Sequence, residues 1–153
     1  MLAERVGTAV RGPYQAVFTS PKKRAAQTVA WFLRGAKHQL PQLHGIAEGL
    51  APPEHDRWVR AAGAAGSRRL DAIEAQDPEL VAEEAPLLAD AVRRLLADTP
   101  DGGTALAVGH TPMLEAAVYA LTGTAIDPLE ECEGVVLVQD GDEIRIEREE
   151  RLG

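Results

Sequence analysis

The stretch Gln15-Ala16-Val17-Phe18-Thr19-Ser20-Pro21-Lys22-Lys23-Arg24 decides the fold. Ala16, Val17 and Phe18 form a short apolar run, the pattern of a strand buried on both faces. Ser20-Pro21 punctuates the run, and Arg24 to Arg34 reads as a helix with Gly35 as its C-terminal stop. A strand that delivers the chain into a helix is the repeating unit of an α/β sheet, and ligands of such sheets gather where strands end and helices begin.

The remaining segments continue that alternation. Upstream, Leu2, Val6 and Val10 recur at helical spacing and Gly12-Pro13 ends them, so the chain opens on a short helix. Downstream, His38 to Pro53 is rich in Pro and Gly and reads mostly as loop. Asp56 to Gln76 reads as helix broken around Gly63 and Gly66. Glu84 to Asp98 gives the strongest helix, with Leu87, Leu88, Ala91, Val92, Leu95 and Leu96 on one stripe and Pro86 in the first turn. Asp101-Gly102-Gly103 is a turn, Thr104 to Val108 a second buried strand, and Met113 to Leu121 a helix ended by Gly123. Val135 to Val138 and Glu143 to Ile146 flank Asp140-Gly141, a hairpin signal. The expected architecture is a three-layer α/β sandwich, with a mostly parallel central sheet and helices on both faces. A chain of 153 residues suits a single domain, here 1–153.

Bulk properties narrow the function. The net charge of -8 disfavours a non-specific nucleic-acid binder, whose affinity rests on neutralising phosphates. It leaves room for a local basic pocket that takes a phosphorylated small molecule. No apolar run is long enough to span a bilayer, and Glu4, Arg5 and Arg11 interrupt any signal-like start, so no membrane partner is expected and a cytoplasmic location follows by default. Cys132 is the single cysteine, which excludes an internal disulfide and reads as a small packed residue.

Two junctions carry chemistry. At the first, Arg24 projects where a helix N-terminus also favours anions, and its planar fork suits phosphate oxygens. Basic residues in a first turn oppose the helix dipole, although they also fit a solvated basic turn. At the second, Ala107-Val108-Gly109-His110-Thr111-Pro112-Met113 delivers His110 to the sheet edge just before a helix. Gly109 permits close backbone approach. His110 suits donation to a phosphate oxygen or proton transfer, and equally a hydrogen-bonded loop histidine.

Together the two motifs resemble a known family. Ser20-Pro21-Lys22-Lys23-Arg24-Ala25-Ala26-Gln27-Thr28 resembles the Ser-Pro-x-x-Arg-Ala-x-x-Thr motif of the histidine phosphatase (phosphoglycerate-mutase-like) superfamily. Val108-Gly109-His110-Thr111-Pro112-Met113-Leu114-Glu115 is similar to its second-histidine motif, nearest to the short phosphohistidine-phosphatase type. Leu121-Thr122-Gly123 and the final hairpin also match the family's order. The resemblance implies a phosphatase without metal or cofactor, acting on phosphomonoesters or phosphohistidine through a phosphohistidine intermediate. It implies phosphate-binding roles for Arg24, Ser20, Gly109 and Thr111, a catalytic role for His110, and a leaving-group acid at Glu48. Its partners would be phosphorylated small molecules or phosphoproteins, with a homodimer left open.

The family's nucleophile lies in an Arg-His-Gly motif on a central first strand, and no Arg-His-Gly occurs here. The sequence therefore reads as beginning after that strand. Three accounts follow: a start codon further upstream, a truncated and inactive phosphate- or phosphoprotein-binding module, or a strand supplied by a partner chain. His38, His44 and His55 do not directly follow a strand entering a turn, and their spacings match no metal-ligand motif. A Gly-x-Ser-x-Gly elbow, a P-loop and a Gly-x-Gly-x-x-Gly turn are also missing. In this family, substrate choice rests largely on the region equivalent to His38–Asp77. Its Arg57, Trp58, Arg60, Arg68 and Arg69 could meet substrate or line a solvated helix face.

Overall fold

A computed structural model describes residues 2–9, 13–37 and 43–152. Val10, Gly12 and His38 of the sequence reading lie outside the described residues. The elements run α1 (Leu2–Ala9), β1 (Ala16–Thr19), α2 (Lys23–Gly35), β2 (Leu43–Ile46), a 3₁₀ turn (Glu48–Leu50), α3 (His55–Ala65), α4 (Leu70–Gln76), α5 (Pro78–Asp98), β3 (Ala105–Val108), α6 (Met113–Thr122), β4 (Gly134–Asp140) and β5 (Glu143–Glu150).

β1 is the middle of a three-stranded parallel sheet ordered β2-β1-β3. Alternation along β1 sends its side chains to both faces. Val17 joins Ala3, Val6, Val29, Phe32 and Leu33 of α1 and α2 on one side. Ala16 and Phe18 join Leu50, Ala91 and Leu95 on the other, where α5 lies. Helices thus cover both faces, as a three-layer sandwich requires. A further core links α3, α4, α5 and α6 around Trp58, Ile73, Leu80, Leu88 and Met113. β4 and β5 form a separate antiparallel hairpin, closed through Gly141 at φ 61°. Val135 and Ile146 of the hairpin pack on Val118, Ile126 and Leu129. Among the described residues β3 pairs only with β1, and Ala107 is exposed. No helix among them is long and apolar enough to cross a membrane.

Three sequence expectations change. His38–Pro53 is not mostly loop beyond residue 42, because β2 and the 3₁₀ turn lie there. β2 is a four-residue edge strand containing Gly45, and Ile46 at its end is 65% exposed, so its ladder to β1 defines it rather than an apolar pattern. Pro86 is not in a first turn: α5 begins eight residues earlier, where Pro78 stands first and the Asp77 side chain accepts from Leu80 N at 3.1 Å. The missing Pro86 N–H is tolerated because Pro86 and Ala82 lie on the exposed side, where the Ala82 carbonyl can turn to water. Leu87 drops out of the stripe at 58% exposure.

Gly35, expected as a stop, is the last residue of α2 and a close-approach residue. A Cβ there would lie 1.8 Å from the Glu4 carbonyl oxygen, and one on Gly7 would lie 2.0 Å from that of Phe32. α1 and α2 therefore touch backbone to backbone at both glycines, and no side-chain adjustment can relieve an added methyl. Gly35→Ala is expected to lower stability by about 3 kcal/mol, the upper range of core overpacking. Gly63→Ala, whose Cβ meets nothing within 4 Å, is expected to stabilise α3 by about 0.5–1 kcal/mol. Urea unfolding midpoints test both, and equal midpoints for the two variants would rule out the interlock.

Candidate phosphate site

Three chain segments leave the carboxyl edge of the sheet side by side. Ser20 N donates to Val108 O at 2.9 Å and Ala47 N to Thr19 O at 2.8 Å, so the ladders run one residue past the strands. Ser20 thus follows β1, Glu48 follows β2, and Gly109-His110 follows β3. Leu114 N donates to His110 O at 2.9 Å and fixes the turn into α6. A Cβ on Gly109 would meet Leu114 Cδ2 at 2.9 Å and Leu50 Cβ at 3.7 Å, so glycine lets α6 and the 3₁₀ turn close over this exit.

Ser20 and His110 are buried, at 1% and 7% exposure, beneath the exposed cation Arg24. Arg24 Nε donates to His110 Nδ1 at 3.4 Å. A guanidinium N–H can only donate, so Nδ1 is the acceptor and the ring proton sits on Nε2. Nε2–H then donates to Ser20 Oγ at 2.6 Å. Lys22 N also donates to Ser20 Oγ, at 3.4 Å, which leaves the serine's own hydroxyl hydrogen to point elsewhere. A second proton on His110 would face the Arg24 donor. Burial, then Arg24, His55 and Lys22, push this imidazole down from 6.5 to about 4.

His55, which sequence spacing did not single out for this site, stands against His110. Its ring lies edge-on at 79°, with centroids 5.8 Å apart. Its Nδ1 is buried and has no hydrogen-bond partner. Burial, Arg24 and Lys22 lower its pKa, and Asp56 opposes them. The approach follows from the path of the chain between β2 and α3, which no local signal at His55 announces.

The other expected residues fall nearby with different partners. Glu48 is exposed at the start of the 3₁₀ turn on the same sheet edge. The Thr111 hydroxyl donates to Glu115 Oε1 at 2.5 Å, and the same oxygen accepts from Leu129 N at 2.7 Å. Of the arginines that could have met substrate, Arg57 is forked onto Asp77 at 2.7 Å twice, Arg68 donates to Leu129 O at 2.9 Å, and Arg69 pairs with Asp71 and Asp127. Trp58 is fully buried, with Nε1 donating to Glu84 Oε2 at 3.3 Å. Among the described residues no cluster of three or more His, Cys, Asp or Glu side chains could hold a metal ion.

A parallel sheet thus brings a serine, an arginine and a histidine together at its carboxyl edge, and with helices on both faces the protein is of the α/β class. Comparison with known proteins makes this specific. The family model of the histidine phosphatase superfamily (branch 1) matches residues 2–148, and the chain belongs to that superfamily. A crystal structure of phosphoglycerate mutase from Bacillus anthracis str. Sterne is similar, with a TM-score of 0.71 at 18% identity over 95% of this chain and 77% of that one. At that identity the likeness establishes the shared fold. A search of curated proteins finds no match.

The lowered His110 pKa has a consequence for stability. The fold favours neutral His110, so this contribution is fully present above the ordinary value of 6.5 and is lost as pH falls towards about 4. Unfolding free energy should drop across that window by on the order of 2 kcal/mol from this group. His110→Gln should flatten the slope, and NMR titration should place the imidazole midpoint near 4. A midpoint at an ordinary histidine value would refute the buried, Arg24-facing arrangement.

Proposed function

We propose that Ser20, Arg24, Gly109, His110 and Thr111 bind a phosphoryl group. On this reading the protein is a phosphatase of the phosphohistidine-phosphatase kind, acting on phosphomonoesters or phosphohistidine. The observation that carries the reading is the Arg24–His110–Ser20 chain of hydrogen bonds at the edge of a superfamily fold. Arg24 donates to His110 across the site. A phosphoryl dianion entering between them gives the guanidinium two oxygens for its fork, and its charge favours protonated His110. Ser20 then donates its remaining hydroxyl hydrogen. Thr111 serves through its backbone, because its hydroxyl hydrogen is committed to Glu115.

In the family chemistry a histidine nitrogen attacks phosphorus and the ester P–O bond breaks. The leaving oxygen takes a proton from an acid, for which Glu48 is the candidate here. Water then cleaves the P–N bond, releasing phosphate and the free imidazole. Arg24 and protonated His110 stabilise the charge that spreads over the transferring oxygens. The step needs the nucleophile of an Arg-His-Gly motif, which these 153 residues do not contain. A second reading has the same clamp bind phosphate or phosphoprotein without turnover.

Calorimetric titration with inorganic phosphate tests the common part. Arg24→Ala is expected to weaken binding by about tenfold or more, the scale of a lost charge-assisted hydrogen bond. Wild-type protein that binds no phosphate, or an Arg24→Ala variant that binds it equally well, would sink the site. Turnover of an aryl phosphate that disappears in His110→Ala supports the phosphatase reading. Binding without turnover supports the module.

A further inference from the structure

We propose that His55 is an additional phosphate-binding residue, which donates its Nε2–H to an oxygen of the phosphoryl group held by Arg24 and His110. The proposal rests on the reading of this pocket as a phosphate site and adds to it a residue outside both motifs.

Three observations carry it. First, the His55 and His110 rings meet edge-on with centroids 5.8 Å apart, so His55 shares the pocket with a group that already bonds Ser20 and Arg24. Second, His55 Nδ1 is buried without a partner. A buried N–H left unpaired costs more than a bare lone pair, so the ring proton belongs on Nε2. That nitrogen is the donor this tautomer leaves for a ligand. Third, the charges around the two rings are unbalanced. His55 is faced by Arg24 and Lys22 from the start of α2 and by Asp56 on its own helix, and His110 by Arg24, Lys22 and His55. Two cations thus stand by the rings against a single carboxylate. A dianion with several acceptor oxygens relieves the repulsion and satisfies the donors at once. Edge-on packing of two imidazoles alone would satisfy neither.

The test uses the full chain, labelled with ¹⁵N, and inorganic phosphate as the probe. In wild-type protein the imidazole nitrogens of His55 and His110 are expected to shift together and saturate at one phosphate concentration. His55→Gln is expected to weaken phosphate binding about tenfold with an unchanged melting temperature. His55 signals that stay still while those of His110 move would overturn the proposal and leave the Arg24–His110 site intact. So would a folded His55→Gln variant that binds phosphate like wild type. Complete failure of wild-type protein to bind phosphate would remove the site reading itself, and this proposal with it.

Discussion

Two four-residue strands, Ala16–Thr19 and Ala105–Val108, lie parallel with Thr19 opposite Val108, and the Ser20 N–H to Val108 carbonyl bond carries the ladder one step further. That register lets Ser20 and His110, 90 residues apart in the chain, hydrogen-bond side chain to side chain. Side chains alternate along a strand, so a slip of one residue would turn Val17 away from α1 and α2 and carry Ala16 and Phe18 off the α5 face. Both cores and the pocket therefore enforce the same pairing. The glycine contacts between α1 and α2 serve it from one side, where they hold the two helices close over Val17, Leu106 and Val108.

The pocket is preorganised by an unfavourable electrostatic arrangement. Arg24 and Lys22 stand over two imidazoles that burial already disfavours as cations, and the pKa of each ring is lowered. A neutral His110 can accept from Arg24 and donate to Ser20 at once, which an imidazolium could not do. These hydrogen bonds thus depend on the ring having one proton. On the proposed reading of this edge as a phosphate site, a bound anion would invert the local field and couple ligand charge to histidine protonation. The protein's net negative charge does not oppose this, because the field within a few ångströms is set by groups at the sheet edge rather than by the total.

Much of this was legible in the sequence because it follows from local pattern. The run Ala16-Val17-Phe18, the Ser20-Pro21 break and the Gly109-His110 junction announce strand ends by composition alone, and the hairpin follows from Asp140-Gly141. Most of what local pattern missed was set by tertiary contact. β2 is specified by its ladder to β1 rather than by its own four residues. Gly35 does end α2, but its close contact with the backbone of α1 cannot be seen from α2 alone. Pro86 looked like a first-turn proline although the Asp77-Pro78 cap, also legible, lay eight residues upstream. His55 had no local signal, since its value comes from a ring reached only through the fold.

Several arginines of the 57–69 region are engaged in contacts of the fold itself. Arg68 donates to the Leu129 carbonyl and Arg69 pairs with Asp127, while Arg151 donates to the carbonyls of Asp127 and Pro128 and pairs with Glu133. These contacts fasten the segment between α6 and β4 from two directions. The Arg69–Asp127 pair is weak alone, with both partners well exposed, whereas Arg151 and Glu133 are more enclosed, at 28% and 9% side-chain exposure. The inner contact differs, because Glu115 is 1% exposed and its Oε1 holds both Leu129 N and the Thr111 hydroxyl. Its Oε2 has no hydrogen-bond partner among the described residues, so the carboxylate's burial is compensated on one side only. A partly satisfied buried carboxylate is retained at a cost in stability, and what it secures is the position of Thr111, next to His110. Arg68, Arg69 and Arg151 thus steady the segment that Glu115 ties to the histidine turn.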